Sequence, residues 1–84
     1  MDKIKQDIRQ FVSELVPNGS AAKLRDDTPL RTSGVLDSMG LLRLVSMVEE
    51  KFGIEVSAYE AGIENFDRID DIAAFVERKR LAKA

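Results

Sequence analysis

Ser38 is the hydroxyl whose neighbours give it a possible chemistry. It lies where a polar loop, Ser33-Gly34-Val35-Leu36-Asp37, runs into an apolar, helix-like stretch beginning Met39-Gly40-Leu41-Leu42. Asp37 is of the type that caps helices, because its carboxylate can accept hydrogen bonds from the free N–H groups of a first turn. That puts the Ser38 hydroxyl at the positive end of a helix, where the dipole and the unpaired amides favour an attached phosphate. As a catalytic nucleophile the same serine needs a base. The chain has no histidine, and no lysine stands near Ser38 in sequence, so an enzyme is a poor reading. An isolated Asp-Ser pair would be a capped helix start and nothing more. The residues around it decide.

Those residues lie on helices. Ile4, Ile8, Phe11, Val12 and Leu15 recur at intervals of three and four, which predicts an amphipathic helix over about 2–16. Pro17-Asn18-Gly19-Ser20 ends it with turn chemistry. A long loop, 17–37, follows; Leu24, Leu30, Val35 and Leu36 can pin it to a core, and a short helical turn near Ala21 to Leu24 is allowed. Asp26, Asp27 and Asp37 invite a calcium loop, but Leu30 and Arg31 stand where such a loop needs an oxygen ligand and a glycine, so no metal site is expected. From Ser38 to about Phe52 a second helix carries seven apolar residues among positions 39–48, more than one buried stripe requires. Leu42, Val45, Val48 or Glu49, and Phe52 define the expected core stripe, which leaves Met39, Leu44 and Met47 for a partner or a pocket, although for Met47 ordinary core packing is the preferred reading. Gly53 is placed to end this helix. Ser57 followed by Glu60 is a capping-box pattern and predicts a short helix over about 58–63, which Glu64-Asn65-Phe66 breaks with Phe66 as a core plug. Asp67 can cap a last helix over about 68–80, with Asp70 and Asp71 in its first turn and Ile69, Ile72, Ala73 and Val76 facing inward, Phe75 flanking. Arg78, Lys79 and Arg80 suit its negative end, and 81–84 should fray. The expected fold is all-α: one domain over 1–84, a small bundle of three longer helices and one short one.

Composition narrows the function. A chain of 84 residues, 44% hydrophobic and 33% charged, suits one small globular core. No apolar run approaches the ~20 residues of a membrane span. Met1-Asp2-Lys3-Ile4-Lys5-Gln6-Asp7 lacks the apolar stretch of a signal peptide, which is compatible with a cytoplasmic location. Without cysteine the chain has no thiol of its own, so thioester chemistry would need one on an attached group. The net charge of −2 is unevenly spread: residues 37–71 hold nine acids against three bases. An acidic centre argues against nucleic acid, whose phosphates need a basic footprint.

Leu36-Asp37-Ser38-Met39, followed by Leu42, Val45, Glu49, Phe52, Gly53 and Ile54, resembles the signature of acyl carrier proteins. The resemblance continues through Glu64-Asn65-Phe66 to Ile69, Ile72, Phe75 and Val76, and so covers nearly the whole chain. It implies an acyl-carrier-like helical bundle and a 4′-phosphopantetheine arm, donated from coenzyme A, on Ser38. Asp37 would cap the helix and help a phosphopantetheinyl transferase recognise the site. Leu36, Met39, Leu41, Arg43 and Met47 are the expected partner-recognition residues. Further partners would be an acyl- or aminoacyl-loading ligase and downstream transferases or synthases, met by a monomer. Such a protein is not an enzyme; it holds a thioester and raises its effective concentration at successive active sites. The helix after the serine has no acid in its first half, and Arg43 stands on it, whereas fatty-acid-synthesis carriers tend to be acidic there. That departure favours a specialised pathway, such as polyketide or nonribosomal-peptide assembly or a D-alanyl-type carrier, with general fatty-acid synthesis as the alternative. A reading of another class is an unmodified helical adaptor that uses the apolar face of 39–48.

Overall fold

The computed structural model describes residues 2–15, 24–32 and 36–83. The expected anchoring by Val35, the turn at 17–20 and the helical turn before Leu24 fall outside them. Four helices form among the described residues: α1 (Asp2–Leu15), α2 (Ser38–Phe52), the single-turn α3 (Ile63–Phe66) and α4 (Ile69–Lys83), with no strand. The α1 stripe buries Ile4, Ile8 and Val12, with Phe11 and Leu15 packed at its margin. α1 lies against α2 and α4, and α3 packs on α4. Ile69, Ile72, Ala73 and Val76 face inward as their spacing requires, and Phe75 joins them fully in the core against Phe66, with ring centroids 5.5 Å apart. An all-α bundle is what the apolar periodicity demanded.

α2 sits in a different rotation from the one its sequence suggested. Leu44 is 0% exposed and Leu42 is 60% exposed, the reverse of the expected assignment. The buried stripe is Leu44, Val45 and Val48, continued at its edge by Leu41 and Phe52. Its spacing is the three-and-four rhythm of a helix face. Glu49 does not simply turn to solvent: its carboxylate accepts from the Val56 amide at 2.9 Å and draws the 53–56 segment back onto the helix end. Gly53 closes α2 in the left-handed region (φ 65), with its N–H donating to the Glu49 carbonyl.

Three further expectations are corrected around α3 and α4. The Ser57–Glu60 capping box forms, each side chain accepting from the other's amide at 3.0–3.1 Å, but it closes one turn and no helix over 58–63. The α-helical turn comes after it, at Ile63–Phe66, so Glu64-Asn65-Phe66 builds a helix rather than breaking one. Asp67 does not cap α4 with its side chain, which is turned toward Arg31 and Thr32. In its place the Asp26 carbonyl accepts from the Asp70 amide at 3.0 Å. Finally, α4 runs on to Lys83, so 81–83 are helical and Arg78 and Lys79 are not at its end. They reach sideways instead: Arg78 donates to the Asn65 side chain at 3.3 Å, and Lys79 pairs with Glu60 at 3.2 Å.

The loop between α1 and α2 is held from both sides. Leu24, Leu30 and Leu36 are buried as expected. Arg9 of α1 donates to the Leu24 carbonyl at 2.8 Å and pairs with Asp26. Leu30 donates its amide to the Asp67 carbonyl, and the Leu36 amide returns to the Leu30 carbonyl at 2.8 Å. These bonds fasten the described parts of the loop, 24–32 and Leu36, to the helices around them.

Candidate functional site

Ser38 is the first residue of α2 and is exposed. Asp37 before it has extended backbone (φ −89, ψ −175), and its carboxylate accepts from the Gly40 amide at 2.7 Å. The Asp37 carbonyl then takes the Leu41 amide at 2.9 Å, which starts the helical ladder. The N-cap is therefore formed as the residue types demanded. Gly40 leaves little spare room: a Cβ there would lie 3.2 Å from Leu36 Cδ2 and 3.3 Å from the capping oxygen.

A second side chain reaches the serine. Arg31 donates from Nη2 to Ser38 Oγ at 3.0 Å. Its main chain is fixed by Asp67, whose Oδ1 accepts from the Arg31 amide at 2.8 Å and the Thr32 amide at 3.0 Å, while Oδ2 accepts from the Thr32 hydroxyl at 2.9 Å. Asp67 is 6% exposed. Burial pushes its carboxyl up, but the Thr32 and Arg31 amides, the Thr32 hydroxyl and nearby Arg68 together outweigh it and hold Asp67 below the usual carboxylate range. The acid is thus ionised where it receives three donors, and the loop that carries Arg31 is fastened to the α3–α4 junction.

The remaining candidates divide by exposure. Met39 is 62% exposed, and it joins Leu42 and Arg43 on an open groove of about 500 Å³ whose other walls include Glu14, Leu15 and Met47. Leu41 is half-buried and packs on the core. Leu36, expected as a contact, is 2% exposed and anchors the loop, so it offers almost no surface. Leu42 replaces it as the apolar residue on view beside Met39. Hollows bounded by Ile54 and Lys79, or by Lys3 and Phe52, lie toward the other end of α2. Among the described residues no cluster of acids could hold a metal ion, and no helix is long and apolar enough to cross a membrane.

Sequence reasoning missed two members of this arrangement. Arg31 entered it as the residue that spoils a calcium loop, and Asp67 as a helix cap. No local pattern marks either, because their roles come from contacts spanning 7 and 35–36 residues.

An exposed serine on a capped helix start, reached among the described residues by a guanidinium, is suited to bear a phosphate-linked group. The comparison with known families agrees. Residues 6–76 match the family described as "Phosphopantetheine attachment site". Its members are non-catalytic carriers that bear 4′-phosphopantetheine covalently on a serine and work with phosphopantetheinyl transferases and with synthases or ligases. The match spans most of the chain, and this protein belongs to the phosphopantetheine attachment-site family.

Proposed function

We propose that the protein is an acyl or aminoacyl carrier, active in the cytoplasm as a monomer, with Ser38 as the residue that takes the arm. The observation that carries this reading is the placement of the Ser38 hydroxyl: exposed, first in α2, and directly behind the capping Asp37. In the transfer, Ser38 Oγ forms a new P–O bond to coenzyme A, the pyrophosphate linkage breaks, and the adenosine bisphosphate half leaves. The serine proton passes to a base of the transferase, since the carrier has no histidine. The attached group supplies the thiol that this chain lacks, and cargo is held there as a thioester. Asp37 keeps the first turn of α2 formed, while Met39, Leu42 and Arg43 offer a mixed apolar and basic face to partners. That face carries no acid in the first turn of α2. It supports a specialised pathway, polyketide, nonribosomal-peptide or D-alanyl-type, over general fatty-acid synthesis.

Intact mass tests the reading. Co-expression with a broad-specificity phosphopantetheinyl transferase should add one arm to the wild-type chain. Ser38→Ala should abolish the addition while leaving the helical circular-dichroism signal intact, because position 38 is exposed. A wild-type protein that stays unmodified sinks the carrier reading and favours the unmodified adaptor.

A further inference from the structure

We propose that Arg31 is a positioning residue for the modified serine: its guanidinium holds the phosphodiester formed on Ser38 and fixes the root of the arm against the α1–α2 loop. The inference rests on the assignment of Ser38 as the attachment residue. It starts from a charge without a match. Arg31 donates to Ser38 Oγ at 3.0 Å, yet among the described residues no carboxylate lies within ion-pair distance of it. The two acids that belong to this arrangement are otherwise engaged. Asp37 turns its carboxylate to the Gly40 amide, and Asp67 spends both oxygens on the Arg31 and Thr32 amides and the Thr32 hydroxyl.

Modification changes the account at one atom. An unmodified serine offers the guanidinium a neutral acceptor, whereas a phosphodiester on the same oxygen carries a full negative charge shared by two oxygens one atom beyond it, on the phosphorus. Charge-assisted bonds from arginine to phosphate oxygens are stronger than bonds to a neutral hydroxyl, and the guanidinium's forked donors match phosphate. That anion would otherwise sit beside the Asp37 carboxylate, a like charge, on a helix whose first turn supplies no base. The main chain of Arg31 is already fixed by Asp67, so little backbone freedom remains to be lost when the side chain engages. The arm therefore leaves the protein from a defined root, with its freedom beginning beyond the phosphate.

The test compares apo and holo forms of the wild type, Arg31→Gln and Arg31→Lys, with circular dichroism confirming that each folds. The phosphorus resonance of holo wild type should shift between about 10 mM and about 1 M salt, as screening weakens the pair. In Arg31→Gln it should sit where the urea-unfolded holo protein places it and lose that salt dependence, and Arg31→Lys should restore part of it. Modification should also move the wild-type Arg31 Nε–H resonance. Should Arg31→Gln take no arm, that resonance, followed from apo to holo and across salt, decides alone. Identical phosphorus shifts in wild type and Arg31→Gln at every salt, or an Arg31 Nε–H resonance unmoved by modification, overturn the clamp while leaving Ser38 as carrier residue. A wild type that takes no arm overturns both.

Discussion

Asp67 and Glu60 both close a loop with a carboxylate, and they do so in opposite surroundings. Asp67 is buried, and its partners are two main-chain amides and a hydroxyl from a loop 35–36 residues away. Glu60 is half-buried, takes the amide of nearby Ser57, and meets the Lys79 ammonium at 3.2 Å. The Ser57 amide first and Lys79 second hold Glu60 below the usual carboxylate range. Two long, partly solvated side chains lose entropy to meet, and salt screens them. Short bonds to a buried carboxylate keep their geometry, and leaving their partners unpaired is costly. The first clasp fixes the loop beside Ser38; the second fastens the flank where α4 passes the 57–66 segment.

Substitutions can break or sharpen that contrast. Asp67→Ala should have the largest effect, roughly 1–3 kcal/mol in denaturant unfolding, because it strands three donors at once. It should also broaden the amide resonances of Arg31 and Thr32. The Asp67 contribution has a defined acid limit. A carboxyl held low in the folded state stabilises fully above the unfolded value of about 3.9, and that stabilisation declines as pH falls through the folded value. Wild type should therefore lose stability below about pH 4 more steeply than Asp67→Asn does, as read from thermal midpoints against pH. Asp37 combines a main-chain partner like that of Asp67 with fuller exposure than either clasp has. Asp37→Ala should cost roughly 0.5–2 kcal/mol and slow arm transfer. An unchanged midpoint together with an unchanged transfer rate contradicts the cap. Glu60→Gln should have the smallest effect, a lowered midpoint at low salt that merges with wild type near ~1 M salt. If Glu60→Gln matched Asp67→Ala in size, burial would not be what separates the clasps.

The elements were legible where one periodicity dominated. The α1 stripe, the inward face of α4 and the caps at Asp37 and Gly53 follow from local residue types, and the structure places them so. α2 was harder because positions 39–48 carry more apolar residues than one buried stripe needs. With Leu41, Leu42, Leu44 and Val45 in close succession, two frames about one residue apart fit equally well. Packing against α1 and α4 chose the frame with Leu44 inside and Leu42 outside. The capping box at Ser57 was read correctly as hydrogen bonds but overread as a helix, since one satisfied turn does not oblige the next. At the site, Ser38 and Asp37 were visible as a motif. Arg31 and Asp67 were not, because an arginine in a polar loop and an aspartate before a helix each have a common local explanation.

The Asp67 clasp also bears on the order in which the site is assembled. Ser38, Asp37 and Arg31 lie in the first half of the chain, but the residue that fixes the Arg31 backbone comes well into the second. Closing a loop of that length has an entropic cost that local helix formation does not share. A nascent chain can therefore form the Asp37-capped turn from neighbouring residues early, while Arg31 gains its support after α3 has been made and docked. The serine is present early in synthesis; its complete setting is among the last things the chain acquires.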